Sequence, residues 1–467
     1  MRRRDRPRPR SDRGGRAPRA GRPPSDPARQ AAYEVVAAVH RDDAYANLAL
    51  PTVLREYGLA GRDAAFATEL AYGTLRALGT LDAVLAVAAQ REVARIDPPV
   101  RDALRLGAYQ LLHTRVPAHA AVSSTVDLVR AVGGASASGF ANAVLRRVAA
   151  HDLPGWLAQV APDLDADPVG HLALTHAHPQ WIVRAFADAL GGDLAETAAA
   201  LAADNERPEV HLCARPGLVP TAELTEQAGG EPGRWSPYAV VLGGGAPGEV
   251  PAVAAGRAHV QDEGSQLVAV AAVAAPLGAG PDGRWLDLCA GPGGKAGLLG
   301  ALAAQRGARV TAVEVAPHRA QLVSAAVRGL PVDVVCADGR TVSGEYDRVL
   351  VDAPCTGLGA LRRRPEARWR RAPSDLPPLT SLQRELLAAA LGVVRPGGVV
   401  AYATCSPHLA ETRVALRRLP VSDVEHLDAR RLLPQGMPDL GDAPAVQLWP
   451  HRHGTDAMFL AVLRRSG

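Results

Sequence analysis

Lysine is nearly absent from this chain of 467 residues: among 52 basic side chains, only Lys295 is not an arginine. Arginine stands almost everywhere a cation is tolerated, so the one surviving lysine singles out a position where a compact ammonium and a planar guanidinium are not equivalent. Cysteine is sparse too. Cys213, Cys289, Cys336, Cys355 and Cys405 are odd in number and show no CxxC spacing, which argues against a disulfide framework and a zinc site; free thiols are expected, and no metal. Aromatic residues make up 4%, with four phenylalanines, too few for extended base-stacking platforms. No window approaches the roughly eighteen uncharged apolar residues of a membrane span, and the N-terminus lacks an apolar signal core, so the expected location is the cytoplasm.

What is present divides the chain. An apolar content of 47% over 467 residues supports roughly two to four domains. Residues 1–30 hold eleven arginines, six prolines and three aspartates with almost nothing to bury, and a disordered tail is expected over residues 1–27. The net charge of +4 includes +8 in that segment, leaving about −4 for the rest. Such an arm suits sequence-independent phosphate contact and equally suits a solubilising tail. Residues 28–150 read as helical throughout. In PPVRDALRLGAYQLLH, the positions Val100, Ala103, Leu104, Ala108, Leu111 and Leu112 form one apolar stripe behind two prolines. Residues 151–262 read as a helical connector followed by a small α+β module with strand-like pieces at EVHLCAR and YAVVLGG.

Residues 263–467 change character. RWLDLC, ARVTAVEV, VDVVCAD, YDRVLVDAP and GGVVAYATC are apolar runs of strand length, several separated by helical stretches. That alternation means a parallel sheet covered on both faces. Ligands of such sheets lie outside the carboxyl ends of the strands. That rim would carry Asp287, Cys289, Glu314, Cys336, Asp338, Asp352, Cys355 and Cys405. The first turn, CAGPGGKAG from Cys289 to Gly297, fits G-x-G-x-x-A and is followed by Glu314 where a ribose-binding acid belongs. NAD and S-adenosylmethionine share the adenosine, and Glu314 does not separate them. Pro292 removes one loop amide, and S-adenosylmethionine offers those amides a carboxylate rather than a pyrophosphate. Asp338 could bind an adenine amino group or simply cap the following turn.

The later motifs DAPCTG and YATCSP each place a cysteine after a strand. Hydride transfer has no need of them. Methylating C5 of cytosine does need a thiolate, because addition at C6 turns the ring into an enamine-like nucleophile. An acid near N3, for which Asp352 is placed, would stabilise the developing charge. The chemistry alone does not rank Cys355 and Cys405. Beyond them, LRRRPEARWRR offers Arg362, Arg363, Arg364, Arg368 and Trp369 for phosphates and an unpaired base, or reads as a solvated charge run.

CAGPGGK, DAPCTG and TCS in this order resemble the Sun/Nop family of RNA cytosine-C5 methyltransferases. AYGTLRALGTLD, LRLGAYQLL and GFANAVLRRV look like the NusB-like domain fused to its bacterial ribosomal members, and HPQW, VQDEGSQLVA and PHRHGTDAMF fall where those members have comparable segments. The resemblance implies an N-terminal all-α NusB-like domain, a small α+β connector and a C-terminal Rossmann-like class I domain that uses S-adenosylmethionine. It implies small-subunit ribosomal RNA as substrate, Cys405 as the nucleophile and Cys355 as the helper in release. It implies cofactor contacts from Cys289, Ala290, Gly291, Pro292, Gly293, Gly294 and Lys295, and from Glu314, Asp338 and Asp352. The sequence departs from the family at Gly291, where alanine is common, at Ala296 for threonine and at Glu314 for aspartate. The readings set against it are the same chemistry on another RNA such as tRNA, a nonenzymatic RNA-binding assembly factor, and an NAD-dependent oxidoreductase.

Overall fold

The computed structural model describes residues 26–417, 423–442 and 444–466. Most of the expected disordered tail, through residue 25, lies outside these residues. Its last part is corrected: α1 (Pro27–Arg41) begins there, with Pro27 at the first helical position and the Asp26 carboxylate accepting from the Arg29 amide.

The helical domain continues through α2 (Ala46–Glu56), α3 (Gly61–Ala89), α4 (Pro98–His113), α5 (Ala118–Gly133) and α6 (Ala135–Val148). Of the described helices, α3 alone is long and apolar enough to cross a membrane, but 67% of its apolar window is buried inside the fold, as in a core helix. The expected stripe of α4 is there, with Val100, Ala103, Leu104 and Ala108 buried. Its other face is buried as well, at Asp102, Arg105 and Gln110, because α4 is central and packs on α1, α3, α5 and α6. The buried charges are paired: Arg105 donates from Nε and Nη2 to the two oxygens of Asp82, each at 2.7 Å, and from Nη1 to Asp102 at 3.0 Å.

The connector holds α7 (Leu153–Val160), α8 (Pro168–Thr175), α9 (Gln180–Ala189) and α10 (Leu194–Ala203). The small module follows, with β1 (His211–Ala214), α11 (Thr221–Ala228), β2 (Glu231–Pro232), β3 (Ala239–Val241), α12 (Pro251–Ala254) and β4 (Ala258–Val260). Its strands form an antiparallel sheet in the order β2-β3-β1-β4.

The C-terminal domain opens with α13 (Glu263–Ala274), β5 (Arg284–Asp287), α14 (Gly294–Arg306), β6 (Arg309–Val313), α15 (Pro317–Ala326), β7 (Val332–Val335) and β8 (Tyr346–Asp352). It continues with α16 (Ala367–Arg370), α17 (Leu376–Val393), β9 (Val394–Thr404), α18 (Arg413–Leu416), β10 (Val424–Leu427), β11 (Val446–Gln447), α19 (Pro450–His453) and β12 (Phe459–Arg465). The sheet order is β10-β12-β9-β8-β5-β6-β7, with β11 paired to β12. All five apolar runs became the parallel strands β5 to β9, and β12 and β10 add an antiparallel edge. The chain starts in the middle of this sheet and winds both ways, so β5 and β8 flank the point where strand order reverses. That is where an open α/β sheet leaves a crevice.

The LRRRPEARWRR segment corrects an expectation. Arg368 is fully buried and donates to the carbonyls of Arg76, Ala177 and Asp204 and to Asn205 Oδ1, which ties α3 and the connector to the C-terminal domain. Burial lowers its pKa to about 10, which leaves it charged at neutral pH. Arg362 and Arg363 converge on two buried carboxylates: both Nε atoms reach Asp456 at 2.9 Å, and both Nη2 atoms reach Asp262, at 3.2 and 2.7 Å. These three guanidiniums hold the protein together and are not free for phosphates. Only Arg364 and Trp369 of the expected set are exposed. Trp369 lies over α3 at Gly79, where an added Cβ would come within 2.5 Å of the indole.

Two stability outcomes follow from this junction. Gly79→Ala overpacks Trp369 and should lower stability by roughly 1–3 kcal/mol in thermal unfolding. Arg368→Ala leaves the Arg76, Ala177 and Asp204 carbonyls unpaired and the buried Asp204 side chain without its cation, a loss of about 3–5 kcal/mol in urea unfolding.

Candidate active site

Asp287 ends β5 and Asp352 ends β8, and the two strands are paired in parallel with Asp287 opposite Leu350. Asp287 is buried. Its Oδ1 accepts weakly from the Cys289 amide at 3.4 Å, and its Oδ2 is buried with no partner. Burial above all, and then the charge of Asp352, pushes its pKa up to about 7. Lys295, in the first turn of α14, donates to Asp352 Oδ2 at 2.9 Å. Burial pulls the ammonium pKa down, but the charge and hydrogen bond of Asp352 outweigh this and leave it raised.

The two thiols of the tight motifs meet. Asp352 pairs with Ala403 on β9, the strands end side by side, and Cys355 Sγ lies 3.4 Å from Cys405 Sγ. They titrate as a pair, and the direction is clear. The hydrogen bond from Cys355 lowers the Cys405 pKa against its burial, and Lys295 adds to the lowering. The same bond, then burial and the neighbouring negative charges, raises Cys355. Of the two sulfurs, Cys405 is thus the one whose surroundings favour the thiolate, and Cys355 the one whose surroundings favour the thiol. The loops are tied by the Gly359 amide on the Cys405 carbonyl at 2.8 Å and the Ala457 amide on the Gly359 carbonyl at 2.8 Å.

The crevice fits an adenosyl sulfonium cofactor. The glycine loop of Cys289, Ala290, Gly291, Pro292, Gly293 and Gly294 leads into α14. Gly291 lies against Glu314: an added Cβ would fall 2.1 Å from Glu314 Oε2, so the carboxylate would have to move to admit one. Glu314, just past β6, is buried, has its Oε1 on the Ala316 amide at 2.9 Å, and keeps Oε2 for a distant Arg319 at 3.5 Å. An acceptor for ribose hydroxyls and an unpartnered buried carboxylate oxygen at Asp287 match the donors of such a molecule. Asp338, past β7, is already engaged: it caps the Arg340 amide at 2.9 Å and pairs with the Arg340 guanidinium at 2.6 Å. Cys336 is exposed and takes no part in the thiol pair, and Cys213 is buried in the core.

Several residues that hold this site escaped the sequence reading. Glu411 is buried and its carboxylate accepts from the Thr356 amide at 2.8 Å, from the Thr356 hydroxyl and from Gln383 Nε2 at 3.1 Å. It lies six residues after Cys405, and nothing local tells that it reaches across to the residue after Cys355. Asp262 and Asp456, in VQDEG and GTDAM, belong to segments that carried only the family resemblance, and nothing local tells that both are buried under Arg362 and Arg363. Among the described residues, no group of three or more His, Cys, Asp or Glu side chains is placed to hold a metal ion.

Residues 274–464 match the family model described as 16S rRNA methyltransferase RsmB/F, and residues 26–150 match that of the NusB family. A Mycobacterium tuberculosis protein whose name goes no further than methyltransferase is 59% identical over 96% of this chain and 98% of its own length. The ribosomal RNA small subunit methyltransferase B of Erwinia tasmaniensis is 31% identical over 93% of this chain and 97% of its own. Among solved structures, that of PH0851 superposes with a TM-score of 0.76 at 23% identity, covering 94% of this chain and 99% of its own, and so shares the fold. With the glycine loop, the paired thiols and the fused helical domain in place, the chain belongs to the RsmB/F family of S-adenosylmethionine-dependent ribosomal RNA methyltransferases.

Proposed function

We propose that this protein methylates C5 of a cytosine in small-subunit ribosomal RNA, with Cys405 as the nucleophile and Cys355 as the group that assists release. The observation that carries the reading is the 3.4 Å approach of the two sulfurs at the ends of β8 and β9. The Cys405 thiolate adds to C6 of the base, and the electrons of the C5–C6 bond move so that C5 becomes the nucleophile. Bound S-adenosylmethionine supplies an electrophilic methyl group. A base then takes the C5 proton, the electrons of that C–H bond restore the C5–C6 double bond, and the C6–S bond breaks to return the Cys405 thiolate beside the Cys355 sulfur.

The Lys295–Asp352 pair takes over the task expected of a lone Asp352. A carboxylate bonded to an ammonium is an acceptor rather than an acid, so Asp352 suits the exocyclic amine of the base. Lys295 then supplies positive charge where the adduct develops negative charge. Glu314 suits the ribose hydroxyls and the unpaired Asp287 oxygen an ammonium. Asp338 would have to turn from Arg340 to meet the adenine. A duplex hides the C5–C6 edge, so the target cytosine is unpaired or flipped out. The exposed Trp369 and Arg364, with Tyr45 of the helical domain 5.8 Å beneath the Arg364 guanidinium, form the surface offered to single-stranded RNA.

Replacing Cys405 by alanine should abolish transfer of labelled methyl groups to unmodified small-subunit RNA. Cys355→Ala should accumulate a covalent protein–RNA adduct, seen as a band resistant to denaturing electrophoresis. Methyl transfer by Cys405→Ala at the wild-type rate would sink the reading.

The pH dependence of cofactor binding tests Asp287. A carboxyl raised to about 7 ionises as pH rises through that value, so affinity for a cationic ligand facing it should increase between pH 6 and 8, up to about tenfold. The same ionisation is unfavourable to the free fold, so this group's contribution to stability falls as pH rises from its unfolded pKa near 4 towards 7. In calorimetric titrations with S-adenosylmethionine, Asp287→Asn should bind more weakly and lose the slope.

A further inference from the structure

Glu411 is buried in the catalytic half of the molecule with no ion-pair partner within 4 Å among the described residues, and the three donors it accepts from all serve the loops that carry the thiols. Its two oxygens take the amide and hydroxyl protons of Thr356, the residue that follows Cys355. Since that hydroxyl donates to Glu411, the contact at 3.1 Å between Thr356 Oγ1 and Ser406 Oγ has Ser406 as donor, and Ser406 follows Cys405. The third donor, Gln383 on α17, also reaches the Pro354 carbonyl at 2.8 Å, just before Cys355. The Glu411 carbonyl accepts from the Tyr402 hydroxyl at 2.8 Å, which fixes the segment after Cys405 to β9. A carboxylate is an expensive brace to bury. A neutral side chain could satisfy some of these donors, but it would not place negative charge beside one thiol of the pair.

We propose that Glu411 is a positioning residue that assigns the two thiols their roles: its buried carboxylate sets the Cys355 loop against Cys405 and keeps the proton of the pair on Cys355. The proposal rests on the reading of Cys405 as nucleophile. The other charged or titratable groups acting on the pair are Lys295 on α14, Asp352 at the end of β8, Tyr402 on β9 and Asp456 before β12. Of these, Lys295 favours the Cys405 thiolate, and Asp352 and Asp456 oppose it. Glu411 acts on the other sulfur, where it disfavours the Cys355 thiolate.

The test is Glu411→Gln, with Glu411→Ala beside it, in the full-length protein. The glutamine is isosteric but turns an NH2 towards a donor of Thr356, and it removes the charge. The expected result is a fall in kcat for methyl transfer of about tenfold to a hundredfold, with KM for RNA within about threefold of wild type. In parallel, iodoacetamide alkylation would be followed from pH 6 to 10, with Cys355 and Cys405 read as separate peptides by mass spectrometry. In the wild type, Cys405 alkylates at the lower pH; in Glu411→Gln, Cys355 should begin to react at lower pH and the two profiles should converge. Glu411→Asp should restore the separation in part. A Glu411→Gln protein with wild-type kcat overturns the proposal, and so does one whose kcat falls with its melting temperature while the alkylation profiles stay apart. The alkylation experiment needs no RNA and no turnover. It therefore fails or succeeds independently of the Cys405→Ala experiment, which tests the reading of the nucleophile itself.

Discussion

Two sulfurs can come within 3.4 Å without a disulfide only if the segments that carry them are held from several directions, and the catalytic domain is built around that requirement. Cys355 lies three residues beyond Asp352 and Cys405 two beyond Ala403, and those two residues face one another in the parallel pairing of β8 with β9. Parallel neighbours bring both carboxyl ends to one edge, so the sheet delivers both loops to the same place. What remains is the depth and angle of each loop. The Gly359 and Ala457 amides, the Glu411 carboxylate and the paired arginines Arg362 and Arg363 with Asp262 and Asp456 hold these. The last of these groups draws on the connecting module and the segment before β12, so the thiol geometry depends on parts of the chain far apart in sequence.

Much of the fold was legible in the sequence because the signals that specify it are local. The five parallel strands are continuous apolar runs, which a sheet covered on both faces requires, and the helical domain repeats its apolar positions at helical spacing with prolines and caps at the starts. The burial of α4 on almost every side was not legible. Its polar face carries Asp102 and Arg105, whose burial depends on Asp82 of α3 lying opposite, a contact no local pattern shows. The site was legible as a rim of acids and thiols, but the order of the two cysteines was not. The charges that distinguish the two sulfurs, Lys295 for Cys405 and Glu411 for Cys355, come from other elements of the fold, so no local pattern carries them.

The run LRRRPEARWRR shows why composition misleads in this chain. Arginine is used here for nearly every cationic task, so a cluster of arginines carries less information about nucleic acid than it would elsewhere. Arg362, Arg363 and Arg368 serve buried carboxylates and carbonyls, while Arg364 remains outside. The guanidinium suits such work, because its forked donors can satisfy several acceptors at once; Arg368 serves four.

The single lysine follows from the same economy, read in reverse. At Lys295 the cation stands 2.9 Å from Asp352, inside the rim, and bonds one of its two oxygens. A guanidinium offers donors in a fixed plane and fills the carboxylate's two lone-pair directions, which would close Asp352 to any further partner. An ammonium is a point charge that bonds one oxygen and leaves the other free. Asp352 and Asp456 disfavour a negative charge on Cys405, and beyond the hydrogen bond from Cys355 the charge of Lys295 is what opposes them. The position therefore needs full charge in little volume, and lysine meets both conditions where arginine meets one.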